Sequence, residues 1–131
     1  MFQDYSKTTY ELWSEVNGVT FERKLAYETA FDGVVKIYTL RTNNEQVNKL
    51  LEGHYFGEFG YPTSKGMLLR KFKSKTSWPK TRIVHLNLVT NELTEIKRTN
   101  SSWNIWTAKK LDELNYSVSI SPTETVELEI G

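Results

Sequence analysis

The chain has 131 residues, of which 38% are hydrophobic and 13% aromatic, with 17 Lys and Arg against 16 Asp and Glu and no cysteine. This length suits one domain with a single core, and the apolar content lies well above that of disordered chains. Without cysteine, a disulfide framework, a thiolate nucleophile and a cysteine zinc site are excluded.

The first residues lack the basic and apolar regions of a secretory signal. No apolar run approaches the roughly 18 residues that span a membrane. We therefore expect one domain over residues 1–131, a cytoplasmic location and no membrane contact.

The first turn signal is Asn17-Gly18, a pair that tolerates the positive φ angles of a type I′ hairpin. It predicts antiparallel pairing of residues 10–16 with residues 19–27. The register of a two-residue loop places Leu12 on the core face and Trp13 on the outer face.

A second turn signal, Asp32-Gly33, adds a third antiparallel strand. Its register sets Leu25 opposite Leu40 on the core face. The reverse side of this strand carries Ile37, so we expect that side to be covered as well.

A capping box follows in Thr42 to Glu45, where the Thr hydroxyl caps the start of a helix. The next residues form an apolar stripe at helical spacing, namely Val47, Leu50 and Leu51, and Gly53 is a natural stop. We expect a helix of about ten residues. Residues 54–64 are rich in aromatics and glycine without a period, which predicts a structured loop.

The rest of the chain is predicted to form strands at 67–73, 82–90 and 94–98, a helix over 100–115, and a closing hairpin of residues 116–120 and 126–130. The register after residue 90 stays open: Leu88 faces Glu95 with a two-residue loop and Ile96 with a three-residue loop, which we prefer. Together the elements predict an α+β fold. It has a mainly antiparallel sheet of about seven or eight strands, built from β-hairpins, with two packed helices.

Residues 65–82 carry seven cations and no carboxylate, whereas the other residues hold ten cations and all 16 carboxylates. Cations beside flat apolar groups are typical of surfaces that bind phosphates and unstacked bases. We therefore expect a small non-enzymatic protein that binds nucleic acid, either DNA or RNA, through this basic segment. The predicted contact residues are Lys65, Arg70, Lys71, Phe72, Lys73, Lys75, Trp78, Lys80 and Arg82.

A protein-interaction module, such as an inhibitor of another protein or a subunit of an assembly, is the alternative. Trp13 on a presumed outer face and Trp106 at a helix edge are its candidate partner-binding residues. The acidic residues 112–131 also suggest head-to-tail self-association with the basic segment. Trp13 instead stays inside the protein if the second half of the chain covers it.

A small nuclease is the third hypothesis, because the two imidazoles, His54 and His85, would form an acid–base pair if the fold united them. The spacing Glu-x-Lys of metal nucleases occurs at Glu22 and at Glu95, but on hairpins it is typical of paired surface charges. We expect no catalytic residue, no metal site and no cofactor.

Overall fold

The computed structural model describes residues 2–4, 9–29, 36–72, 80–99 and 105–130. In this part of the chain there are eleven strands and one helix, α1 (Glu45–Leu51). The strands are β1 (Phe2–Asp4), β2 (Glu11–Val16), β3 (Val19–Thr29), β4 (Lys36–Thr42), β5 (Tyr55–Pro62), β6 (Gly66–Phe72), β7 (Thr81–Asn87), β8 (Glu92–Thr99), β9 (Thr107–Lys110), β10 (Asn115–Ser121) and β11 (Glu124–Glu129).

Eight strands form the larger sheet, sheet A, in which β3 to β8 are antiparallel neighbours in chain order. Both β1 and β2 pair with β3, β2 along its first half and β1 along its last residues. Strands β9, β10 and β11 form a second antiparallel sheet, sheet B, with β10 in its centre. The prediction of a mainly antiparallel sheet is confirmed, whereas the division into two sheets was not predicted.

Strand β6 lies between two hydrophobic cores on opposite faces of sheet A. Met67 and Leu69 point into the first core, to which α1 contributes Val47 and Leu51. Leu68 points the other way and packs in the second core with residues of sheet B. Side chains alternate along a strand, so α1 and sheet B are the layers that cover the two faces of β6.

The hairpin at Asn17-Gly18 forms as predicted, with φ angles of 50° and 77°. Its predicted register is wrong further from the turn, because a β-bulge at Trp13 inserts one residue into β2. The bulge directs the Trp13 ring against Gly60 and the first core, whereas Leu12 is 74% exposed. The faces of Leu12 and Trp13 are therefore the reverse of the predicted ones.

Helix α1 begins later than the capping box predicts. Asn44 is the N-cap, and its Oδ1 accepts hydrogen bonds from the N–H groups of Gln46 and Val47 at 3.0 and 3.1 Å. Thr42 belongs to β4, and its hydroxyl donates to the Asn44 carbonyl. The helix has seven residues instead of about ten. Gly53 follows it with a φ of 76°, as predicted for the stop.

The predicted loop over residues 54–64 is wrong, since most of it forms β5. The ladder between β5 and β6 is interrupted by a wide bulge, in which residues 57–59 lie opposite Arg70 alone. A Cβ at Gly57 would lie 3.2 Å from Cδ of Arg70, so the glycine leaves room for that side chain. The glycines that suggested a loop therefore belong to a bulged strand.

The second helix, predicted over residues 100–115, is wrong for the part that is described. Residues Thr107–Lys110 form β9, and Asp112 turns the chain into β10 by accepting hydrogen bonds from two backbone N–H groups at 2.9 Å. Trp106 and Ala108 reach the second core at the two-residue spacing of a strand. Pairing with β10 overrides the helical spacing of apolar residues in the sequence.

The turn at Asp32-Gly33 lies outside the described residues. The strands that it joins, β3 and β4, pair as predicted but in a different register, with Leu25 opposite Tyr38. The closing hairpin forms as predicted, with Val118 opposite Val126.

Strands β7 and β8 are joined by the four residues 88–91, so Leu86 pairs with Leu93 and Leu88 lies in the turn. Neither predicted register of this pair is correct. Among the residues described, no helix has the length and apolar character needed to cross a membrane.

Candidate nucleic-acid interface

Three cations lie directly opposite one another across β6, β7 and β8. Lys71 is opposite Arg82, and Arg82 is opposite Arg98. Neighbouring strands lie about 4.8 Å apart, so the three positions span roughly 10 Å. They share the α1 face of sheet A, because Lys71 follows the core residue Leu69 at two-residue spacing. We call Lys71, Arg82 and Arg98 the cation row.

Among the described residues, one carboxylate, that of Glu95, contacts the cation row. Its Oε2 accepts from Nη1 of Arg82 at 2.9 Å, and its Oε1 accepts from Nε of Arg98 at 3.1 Å. Within the described residues, Lys71 forms no ion pair. Like charges on directly opposite positions destabilise a sheet. The row therefore combines three positive charges with one contacting negative charge.

A groove of about 430 Å³ opens between α1 and sheet A beside the cation row. Lys49 lies in the last turn of α1, and His54 follows the helix directly after the turn at Gly53. We call this cavity the basic groove. It is lined by Lys49, Leu50, His54, Lys71, Val84, Leu93 and Glu95.

Burial and positive charge lower the pKa values of two groups in the basic groove. The pKa of His54 lies below 6.5, first because of partial burial and second because of the charge of Lys71. The pKa of Lys71 is lowered by burial and then by the charge of Arg82, while Glu95 acts in the opposite direction. A bound anion would favour the charged form of both groups. The basic groove therefore holds two groups, His54 and Lys71, whose charged forms a bound anion would stabilise.

A second groove, of about 460 Å³, lies where β4 and β5 separate. In the described residues these two strands share one residue pair, and α1 connects them in the chain. Lys49 and His54 line both grooves. We call this cavity the side groove.

Arg41 lines the side groove, and two neighbouring side chains hold its guanidinium in place. Its guanidinium carbon is 4.1 Å from the centroid of the Tyr10 ring, and its Nε donates to Oε1 of Glu22 at 2.9 Å. The Arg41 side chain is nevertheless 52% exposed. A planar cation is thus held by a ring and a carboxylate while much of its surface faces solvent.

Two predicted contact residues, Arg70 and Phe72, are buried instead. Phe72 is 2% and Arg70 is 7% exposed. The Arg70 guanidinium carbon lies 4.2 Å from the centroid of the Trp106 ring, and burial lowers the pKa of Arg70 to about 10. One step along β6 separates Arg70 from Lys71, so the alternation of the strand divides the basic segment between two faces.

The remaining predicted cations lie at different ends of the sheet. Lys65 is separated from Lys71 by the length of β6, about 20 Å. Lys80 is exposed and directly precedes β7, at the end where the cation row lies. The structure therefore brings together Lys71 and Arg82, with Lys80 at the same end. The predicted residues that lie outside the described part are Lys73, Lys75 and Trp78.

Neither predicted partner-binding tryptophan has a ring that is fully exposed to solvent. Trp106 is 4% exposed and meets the Phe59 ring edge to face, with 5.6 Å between ring centroids. Trp13 packs against Gly60, and the Arg23 guanidinium lies 5.2 Å from its ring centroid. The burial of Trp106 and the cover over Trp13 come from the protein itself.

The two histidines lie on opposite sides of sheet A. His54 lines the basic groove, whereas His85 is 4% exposed on the sheet B side, where Nε2 is 2.8 Å from Oγ1 of Thr63. Burial lowers the pKa of His85 to about 4, and the charge of Lys65 acts in the same direction. The sheet separates the rings, so they do not form an acid–base pair.

The Glu-x-Lys sequences also lack the surroundings of a metal nuclease. Glu22 is paired with Arg41, and Glu95 with Arg82 and Arg98. Among the described residues, no group of three or more His, Asp or Glu side chains is placed to hold a metal ion.

Sequence reasoning missed Lys49 and Arg98. Lys49 lies on the polar side of a correctly predicted helix, and nothing local indicates that it faces the basic segment. Arg98 lies on a predicted strand, but its position opposite Arg82 depends on a register that the sequence left open.

Comparison of the chain with protein-family models, with curated proteins and with solved structures found no match.

Proposed function

We propose that this protein binds nucleic acid by contacting backbone phosphates with the cation row and the basic groove. The observation that carries the proposal is the position of Lys71, Arg82 and Arg98 opposite one another, with Glu95 as the contacting carboxylate. A nucleic acid offers successive phosphates, and lysine and arginine neutralise them. The row is unfavourable in the free protein and would become favourable beside such a ligand.

The sequence next to the cation row also favours nucleic acid as the ligand. Residues 73–80 join β6 to β7 at the end of the sheet where Lys71 and Arg82 lie. This stretch contains three further lysines and Trp78. Aromatic rings beside cations bind exposed bases by stacking.

Two substitutions of opposite sign test the proposal by fluorescence anisotropy with a labelled mixed-sequence oligonucleotide. Lys71→Gln removes a phosphate contact, so we expect weaker binding and a log–log salt slope shallower by about 1. Glu95→Gln removes the carboxylate that competes with phosphate for Arg82 and Arg98, so we expect tighter binding. The matched control is Lys109→Gln on β9, an exposed position in sheet B, which should leave binding unchanged.

Absence of binding by the unmodified protein at low salt would refute the proposal. Binding that responds equally to Lys71→Gln and Lys109→Gln would also refute it, because affinity would then follow net charge and not the cation row. Circular dichroism of each variant establishes that the comparison is between folded proteins.

Self-association is a second candidate, favoured by the exposed carboxylates of β11 at Glu124, Glu127 and Glu129. They are complementary in charge to the cation row, so copies could join head to tail. Light scattering at low salt should then detect oligomers that Glu127→Lys dissociates. A monomer at every salt concentration would contradict this candidate and leave the first one standing.

A further inference from the structure

We infer that the basic groove binds the terminal phosphate of a nucleic-acid strand, so that the protein recognises a phosphorylated strand end. This inference rests on the proposed function and deepens it. The cation row contacts phosphates within the strand, and the basic groove receives the phosphate at its end. The starting observation is the place where the cation row stops, at Lys71 on β6.

The cation row stops at Lys71 because the next strand is covered. The position opposite Lys71 on β5 is Phe56, which is 0% exposed in the first core, to which α1 contributes. The row therefore runs from Arg98 on the edge strand β8 inward to Lys71. The basic groove opens at this inner end, since Lys71 also lines the groove. A nucleic acid that follows the row inward meets the helix layer, which suits the end of a strand better than its middle.

The basic groove carries more positive charge than a phosphate within a strand would neutralise. Lys49 lines it from the helix and Lys71 from the sheet, and His54 lies close enough to Lys71 for the lysine charge to lower its pKa. The carboxylate in the lining, Glu95, is engaged by two arginines of the cation row. A phosphate within a strand carries one negative charge, whereas a terminal phosphate carries about 1.5 to 2 at pH 7. The terminal group therefore matches the two lysines.

The size and the apolar lining of the basic groove suit one terminal nucleotide. Its volume of about 430 Å³ lies in the range of pockets that bind small molecules. Leu50, Val84 and Leu93 line it beside the two lysines. Ligand pockets commonly combine such apolar walls with a few charged groups that fix the orientation of the ligand. The lysines would hold the phosphate while the apolar side chains contact the attached sugar or base.

The test compares three oligo-dT strands of equal length that carry a 5′-phosphate, a 3′-phosphate or hydroxyl groups at both ends, with the fluorophore inside the strand. Fluorescence anisotropy at pH 7 and constant salt measures their affinities. We expect one phosphorylated strand to bind at least about tenfold more tightly than the strand without a terminal phosphate, because hydrogen bonds between charged groups are strong. The preferred strand identifies the end that the groove receives.

Two lysine substitutions localise this preference. Lys49→Gln removes a charge from the basic groove and none from the cation row. It should reduce the preference to about threefold or less and leave binding of the hydroxyl-ended strand nearly unchanged. Lys109→Gln removes an exposed lysine of sheet B and is the matched control, which should leave the preference intact. Circular dichroism establishes that both variants are folded.

The outcomes separate this inference from the proposed function. Equal, salt-sensitive binding of all three strands would overturn the inference and leave phosphate binding by the cation row in place. A preference that Lys49→Gln leaves unchanged would put the terminal phosphate outside the basic groove and so overturn the inference. Displacement of the preferred strand by thymidine monophosphate at equal concentration would show that the ligand is a free nucleotide and not a strand end. Failure of all three strands to bind would refute the proposed function itself.

Discussion

Lys71 on β6 and Arg82 on β7 occupy directly opposite positions of one antiparallel ladder, on the face of sheet A that α1 covers. Opposite charges at such positions stabilise a sheet, and like charges destabilise it. Arg98 extends the same arrangement by one strand, and Glu95 offsets part of the repulsion through its contacts with Arg82 and Arg98. The fold thus keeps a repulsive row of cations that an anionic ligand would neutralise.

Removal of one charge from the cation row should stabilise the free protein. Lys71→Gln should raise the free energy of unfolding by about 0.5 kcal/mol at low salt, because the repulsion with Arg82 disappears. High salt screens that repulsion, so the gain should shrink as salt is added. Urea unfolding at two salt concentrations measures both effects. Lys109→Gln is the control, since Lys109 lies opposite the uncharged Ser117; a larger gain there would contradict the prediction.

Nucleic-acid binding should strengthen as the pH falls through the range in which His54 gains a proton. Its pKa is below 6.5 in the free protein because of burial and Lys71, and a bound phosphate would raise it. By linkage, affinity then increases as the pH falls from the pKa of His54 in the complex to its lower pKa in the free protein, by at most tenfold per pH unit. Anisotropy titrations at constant ionic strength measure this dependence. His54→Gln should remove it, and an unchanged pH dependence in that variant would show that another group is responsible.

Stability should fall in acid because His85 is buried in its neutral form. Its pKa is about 4 in the folded protein, against 6.5 for an unperturbed histidine, so the unfolded chain binds more protons between these limits. Neutral, buried His85 therefore contributes about 3 kcal/mol to the free energy of unfolding. This contribution is complete above pH 6.5 and is lost as the pH falls toward 4. Urea unfolding across this range measures the loss. His85→Gln should flatten the curve relative to His54→Gln, and equal curves would contradict the assignment.

Trp13 and Gly60 should depend on each other for stability. A Cβ at Gly60 would lie 2.5 Å from Cη2 of Trp13, so Gly60→Ala must displace a rigid ring and should destabilise the protein by about 1–3 kcal/mol. In the Trp13→Leu background the same substitution should have a much smaller effect. Urea unfolding of the two single variants and the double variant forms the cycle. Additive effects would show that the ring does not rest on Gly60.

The local turns could be predicted from the sequence, whereas the long-range pairing of the strands could not. Asn17-Gly18 and Gly53 adopt the positive φ angles that their residue types predict. The bulge at Trp13 has no local signal, because it is stabilised by packing against Gly60, a residue 47 positions later.

The candidate site was predictable only in part for the same reason. Lys71 and Arg82 were identified from the composition of one segment, but the face of each side chain depends on strand alternation, which buries Arg70 beside Trp106. Arg98 joins them through the register of β8, which a four-residue loop and a one-residue irregularity between Ile83 and Val84 set together. Residues 105–115 are the clearest example. Their apolar residues have helical spacing, but residues 107–110 form a strand that pairs with β10.

The salt dependence of binding tests the central claim most directly. If the cation row contacts phosphates, the logarithm of the association constant should fall linearly with the logarithm of salt concentration. For three contacts the slope should be about −2 with a single strand and about −3 with a duplex. Lys71→Gln should make that slope shallower. An affinity that does not change with salt, or a slope that Lys71→Gln leaves unaltered, would contradict phosphate binding by the row.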